Sequence, residues 1–335
     1  MTKSKYCVTA HRSQQGLTLV ELLVAMAISA VIALAAISAL IVSRQGFTTV
    51  DAASQLRDNG RFATDLIQRL GVQTGFVEID TAATVRPAPL PGVVDNPDSK
   101  VFGFNNSTAS STAPLTNATA RTGATSLGFG SDILILRYQT TAAFRGALTS
   151  DGSMIDCFGN PQTVLPVNRD DFRANILHVD VDNNGEPALM CSTDSNLVRQ
   201  PIVRGVENFQ VLYGVDGVAA GTAVTATATF LATNYLRADQ MAVPSDPTGA
   251  LTNANWRRVR SIRIGMVIRG AIGSAQESAA RTYYPLGTAL SASGGTPGSA
   301  MSSTNDAGTI FTPAADSRLR QVVTMTIHLR NETGL

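Results

Sequence analysis

The sequence predicts an α+β protein, a long N-terminal helix packed on an antiparallel β-sheet head with long loops. Three observations carry this. An apolar run from Leu17 to Val42 passes without a break into a stretch of helical periodicity that lasts to Leu70. Downstream segments alternate apolar and polar residues with the period of a strand, most strongly at Val259–Arg269 and Leu319–Arg330. The chain is also poor in charge, at 15% of its 335 residues, where about a quarter is usual. Thr, Ser, Ala and Gly take up the difference, as in a β-rich exported domain with polar, uncharged loops.

Residues 1–16 form a short polar leader that carries Lys3, Lys5, His11 and Arg12 but no acid. Residues 17–42 follow, about 26 positions that suffice to span the hydrocarbon of a bilayer as a helix. This run is apolar on every face except at Glu21. Arg44 and Gln45 mark its emergence from lipid, and Gly46 permits a bend. Over residues 43–71 the helix turns amphipathic: Val50, Ala53, Leu56, Ala63, Leu66, Ile67 and Leu70 form the apolar stripe. Asp51, Arg57, Asp58, Arg61, Asp65 and Arg69 fall between them. Gly71 reads as its stop. A helix of about 55 residues is on the order of 80 Å long, and its apolar stripe needs a sheet to pack on.

Residues 72–335 supply that sheet as an exported, β-rich head. Strands are expected at Asp132–Gln139, Asn175–Asp182, Pro187–Cys191, Pro201–Val203, Val206–Val215, Val259–Arg269 and Leu319–Arg330. Asn183-Asn184-Gly185 reads as a hairpin turn between the second and third. The alternation of the last two predicts antiparallel strands with one dry face. Residues 84–128, 237–255 and 287–317 read as loops. Their lack of charge and of apolar anchors predicts mobile, partner-facing insertions.

The bulk properties exclude several functions. A net charge of +1 and the absence of a run of like charges give no nucleic-acid surface. Arg257, Arg258, Arg260 and Arg263 alternate with apolar residues as a solvated strand face would, so DNA binding is not expected. His178 and His328 lie on strands with no serine or cysteine elbow near them, and no phosphate loop or metal-ligand cluster is visible. No catalytic residue, metal or cofactor is expected. Asp180-Val181-Asp182-Asn183-Asn184-Gly185 begins like a calcium loop, but the position that should hold its bidentate glutamate is Cys191; the hairpin turn is the better reading. Cys7 leaves with the leader. Cys157 and Cys191 remain, an even pair that reads as a disulfide in an oxidising compartment, with two separate buried thiols as the alternative.

Gly16-Leu17-Thr18-Leu19-Val20-Glu21, behind its basic leader, resembles the signal of the type IV pilin superfamily. The apolar run is longer than the core of a secretory signal peptide, and no small-residue cut site follows it. A plain signal anchor would leave Glu21 without a reason, since an ionisable group in such a segment is costly. Five further segments resemble the minor pilins called PilW: Leu56–Ala63, Gly130–Tyr138, Gly185–Cys191, Val203–Gly214 and Trp256–Gly270.

The resemblance implies a pilin-like fold and a membrane peptidase that cuts after Gly16 and methylates Leu17. Glu21 would then stand four positions from a new amine, on the same helix face. Two readings of it are open. It pairs with the N-terminal amine of an adjacent subunit, or it remains a protonated acid that reaches toward the interface. The implied function is assembly or initiation of a type IV pilus, in a tip or priming complex. The implied partners are other minor pilins, the major pilin, the prepilin peptidase, the inner-membrane assembly platform and a tip adhesin. The location would be the inner membrane, with a single span and a periplasmic head, and then the pilus tip. The alternatives are a J-type minor pseudopilin of type II secretion and, in another class, a membrane-anchored periplasmic binding or adhesion module.

Overall fold

The computed structural model describes residues 16, 18–79, 98–123, 126–275, 279–287 and 305–331. The leader up to Gln15, Leu17, and the 84–97 and 288–304 parts of two expected loops lie outside the described residues. The chain divides into two compact units, Met1–Val50 and Asp51–Leu335.

The first unit is the start of helix α1 (Leu19–Gln73). Every residue from Leu19 to Val42 is exposed. The two serines between Leu19 and Val42 turn inward on the helix itself: Ser29 Oγ donates to the Ala25 carbonyl at 2.7 Å and Ser38 Oγ to that of Ala35 at 2.9 Å. Hydroxyls satisfied in this way leave a surface compatible with lipid.

Within the second unit α1 buries Ala52, Leu56, Gly60, Ala63, Ile67, Leu70 and Gly71, a stripe of three- and four-residue steps. The stripe begins at Ala52; Val50, expected in it, is 71% exposed. Two glycines set how close the helix comes to the sheet. A Cβ at Gly60 would lie 2.9 Å from Val323 Cγ2, and one at Gly71 would lie 2.7 Å from Ile327 Cγ2. Gly71 is therefore a contact residue and not the stop. The helix ends two residues later, with Gly75 at φ +78° supplying the left-handed turn. The two contacts lie about 16 Å apart along the helix and about 13 Å apart along the strand, so α1 runs nearly along that strand in the same direction.

Among the described residues eleven strands follow. β1 (Val101–Phe104), β4 (Ile133–Tyr138), β5 (Arg173–Val181), β6 (Pro187–Thr193) and β7 (Gln200–Arg204) form a five-stranded sheet in the order β1-β4-β5-β6-β7. β8 (Val206–Val215), β9 (Asn234–Leu236), β10 (Val259–Arg269) and β11 (Arg320–His328) form a four-stranded sheet in the order β11-β10-β8-β9. β2 (Ser107–Ala109) and β3 (Ala118–Ala120) make a ribbon. All pairings are antiparallel. One core joins α1 to both sheets, through Leu56, Ile67, Leu134, Leu177, Phe209, Ile264 and their neighbours. A second, smaller one lies on the other face of the five-stranded sheet, where Ala109 covers Ile133, Ile135 and Ile176.

Two expectations are corrected. The first concerns the loops. Residues 101–120 carry β1, β2 and β3, and the 237–255 stretch carries a 3-10 turn (Asp239–Met241) and helix α2 (Ala250–Trp256). Aromatic anchors hold them: Trp256 meets Phe102 and Tyr213 edge-on, with ring centroids 6.5 Å and 4.7 Å away. The second concerns β10, which is buried on both faces. Arg260 is only 7% exposed. Its guanidinium lies 3.7 Å from Asp216 and over the Phe230 ring. Arg263 donates to the Leu286 carbonyl at 3.2 Å. Chain from elsewhere in the sequence covers the face expected to be wet.

Buried charged groups link the two sheets. Asp132, at the start of β4, accepts the amide of Val211 in β8 at 2.8 Å and that of Asn106 at 2.8 Å. Burial pushes its carboxyl well above the ordinary range. Glu207 in β8 holds Arg269 at 2.8 Å and Arg320 at 2.6 Å. Arg269 and Arg318 reach on to Glu186, in the β5–β6 turn, at 2.6 Å and 3.0 Å.

Gly71→Leu will drive a side chain into Ile327. Overpacking of this kind costs about 1–3 kcal/mol, more than the roughly 0.8 kcal/mol of helix propensity gained. Denaturant unfolding of the full chain in detergent should show a lower midpoint; an unchanged or higher one would remove the close approach as a constraint.

Candidate functional site

The N-terminus of α1 is built from three described residues. Thr18 immediately precedes the helix and forms a capping box with Glu21. The Thr18 amide donates to Glu21 Oε2 at 2.9 Å, the Thr18 hydroxyl donates to the same oxygen at 3.0 Å, and the Glu21 amide donates back to Thr18 Oγ1 at 3.3 Å. Sequence reading picked out Glu21 and passed over Thr18, although the Thr-x-x-Glu spacing is the mark of such a cap. Gly16 is exposed, and a side chain there would meet nothing within 4 Å. Nothing in the fold requires glycine at that position. Leu17, between them, lies outside the described residues.

The site thus places a single carboxylate in the first turn of a helix whose apolar part is fully exposed. By length and composition α1 is able to cross a membrane. Among the described residues the carboxylate accepts only from Thr18. A cap of neutral donors holds its orientation and leaves room for a cation to approach.

Cys157 and Cys191 are joined by a disulfide, with their Cα atoms 6.4 Å apart. Both are buried, and the Cys157 amide donates to Asn175 Oδ1 at 3.0 Å. The bond ties the segment after β4 to β6, across the middle of the five-stranded sheet.

The Asp180–Gly185 stretch is the β5–β6 hairpin turn. Asp182 Oδ1 accepts the amides of Asn184 at 2.8 Å and Glu186 at 3.0 Å, and Asp180 pairs with Arg199 at 2.6 Å. These amides hold the Asp182 carboxyl below its ordinary value. His178 is buried within β5, whereas His328 is exposed on β11. Burial, with the Arg199 guanidinium nearby, brings the His178 imidazole down to about 4.

Comparison with known proteins places these features. A model of the prokaryotic N-terminal methylation motif matches residues 11–37, the span that holds Gly16, Thr18 and Glu21. The family described as Type IV Pilus-assembly protein W matches residues 176–331, from β5 through β11. The chain therefore carries a region similar to the PilW family and, ahead of it, a prokaryotic N-terminal methylation motif. Of the PilW-like segments in the sequence, Gly185–Cys191, Val203–Gly214 and Trp256–Gly270 fall inside the matched region, while Leu56–Ala63 and Gly130–Tyr138 lie before it. No curated protein matches the chain. Solved structures similar to it include a type IV-like pilin from Thermus thermophilus, at 11% identity over 82% of this chain and 97% of that one, with a TM-score of 0.37. That score is too low to bear on the fold. The N-terminal motif and the region that matches the PilW family are separate in sequence.

Two outcomes are expected. Replacing both Cys157 and Cys191 with serine opens a closed loop of 34 residues and should cost about 3–4 kcal/mol on the chain-entropy model, read from denaturant midpoints. His178→Leu tests the buried imidazole. The folded chain excludes a proton that the unfolded chain takes up below its ordinary value of 6.5, so His178 holds its full stabilising share above that pH and loses it as the pH falls toward about 4. Relative to His178→Leu, the wild type should weaken by as much as about 3 kcal/mol over that window. Parallel curves would show that the imidazole does not govern acid stability.

Proposed function

We propose that this chain is an assembly subunit of type IV pili that works by subunit contact and carries out no reaction of its own. It is cut after Gly16 and methylated at Leu17. Residues 17–42 hold it in the inner membrane as a single span, with the head in the periplasm. It joins other minor pilins in a tip or priming complex. The observation that carries this reading is a fully exposed apolar helix, led by a glycine the fold does not need, with one carboxylate in its first turn. An acid among lipid-facing residues strongly favours an opposite charge. Cleavage creates one, an amine on Leu17 of every copy and of every related subunit. Glu21, already oriented by Thr18, pairs with the amine of a neighbour and so sets the axial register during assembly.

Gly16→Trp should leave the precursor at its full mass, because a bulky side chain at the cut obstructs approach to the backbone. Glu21→Ala should be cut normally yet enter sheared pili at a tenth of the wild-type level or less. Mass spectrometry of membranes and of pili reports both. A mature-length Gly16→Trp chain, or normal incorporation of Glu21→Ala, would count against the respective role.

A further inference from the structure

The two larger sheets have four edge strands, and three of them are defended. β1 and β9 have only four and three residues. β7 carries Pro201 and Arg204 and shifts register against β6. Short edges, prolines, charges and bulges all discourage pairing with another chain. β11 has none of these defences. It is nine residues long, it keeps register with β10 without a shift, and neither charge nor proline stands between Arg320 and His328. Val322–Ile327 reads Val-Val-Thr-Met-Thr-Ile, an uncharged, strongly β-forming segment that is an aggregation hazard if left open.

The hydrogen bonding fixes which groups are available. The Leu329 amide donates to the Arg260 carbonyl at 2.9 Å and the Gly270 amide to that of Leu319 at 2.8 Å. Carried along the register, these bonds assign the odd-numbered residues of β11 to β10. The backbone N–H and C=O groups of Val322, Thr324, Thr326 and His328 then point to the outer edge. Among the described residues no strand pairs with that edge, and Thr324, Thr326 and His328 are exposed.

We propose that the outer edge of β11 accepts an extended strand donated by a different pilin-class subunit, which adds a strand to the β11-β10-β8-β9 sheet. This rests on the reading of the chain as an assembly subunit. Recognition is by backbone amides, a row that only another extended polypeptide matches in spacing. Charge selects the donor. Arg320 is held by Glu207 and Asp316, while His328 and Arg330 stand exposed at the other end. The donor is therefore uncharged in its middle and acidic where it passes His328 and Arg330. A second copy fits less well, because antiparallel self-pairing centred on Thr324–Thr326 sets Arg320 of one chain opposite Arg330 of the other.

Residue-resolved hydrogen exchange on the full chain, alone in detergent and co-assembled with the pilin-class subunits of its own pilus, tests this. The amides of Val322, Thr324 and Thr326 should exchange at least tenfold more slowly in the assembly, while those of Val323 and Met325 stay protected in both states. Equal exchange of the outward amides in the two states, their protection in the isolated monomer, or their protection in a homodimer would each overturn the proposal. Thr326→Pro removes one outward donor and leaves the bonds to β10 in place; Thr326→Lys does the equivalent by charge if the proline variant unfolds at lower temperature. Either should reduce incorporation about tenfold, with cutting after Gly16 unchanged. Normal incorporation of both variants sinks the edge and leaves the assembly reading intact. Failure of the wild type to enter any pilus sinks the reading itself.

Discussion

The head depends on how closely α1 approaches the β10–β11 pair. At Gly60 and Gly71 the helix backbone lies nearer the sheet than any side chain would allow. This fixes the rotation of the helix, because only one stripe of its surface carries glycine at those positions. It also fixes which face of β11 is dry, since Val323 and Ile327 are the residues that fill the gaps. From there the arrangement propagates by register. Ile327 pairs with Ile262 and Ile262 with Tyr213, so the same face of β10 and β8 must turn inward. The core that results is continuous from α1 to the five-stranded sheet.

A chain with few charges places many of them where they are hardest to keep. Asp132, Glu207, Asp216 and Arg260 are all nearly inaccessible. Each is enclosed by donors or opposite charge, as burial demands. Their positions are not random. Asp132 reaches from the start of β4 to the Val211 amide in β8, and Glu207 holds Arg269, which in turn reaches Glu186 in the β5–β6 turn. Apolar packing alone tolerates sliding of one layer over another. Directional bonds at these joints do not, and they give the two sheets a single relative position.

Much of this was legible in the sequence, for physical reasons that differ by element. β8, β10 and β11 are long and alternate cleanly. The β5–β6 hairpin carries its Asn-Asn-Gly turn, and the paired cysteines follow from their even number in an exported chain. Gly16 and Glu21 stood out because a glycine and an acid are anomalous beside so apolar a run. β2 and β3 were hidden because three-residue runs of Ser, Thr and Ala carry no apolar alternation, and β1 because four residues, Val-Phe-Gly-Phe, are too few to show a period. The burial of Arg260 was hidden because alternation reports that a strand has two faces, but not what will cover the second. Gly71 misled because glycine at a helix end and glycine at a close contact look identical in sequence. The cap at Thr18 is hard to read because a Thr-x-x-Glu pattern is short and lies inside a long apolar run.

The near-parallel course of α1 and β11 has a mechanical consequence. A pull along the helix axis loads the contacts from Gly60 to Gly71 side by side, in shear, so they must yield together. A helix lying across the strands would instead be peeled away contact by contact, at far lower force. The direction in which this head resists tension most strongly is therefore the axis of the helix that enters it.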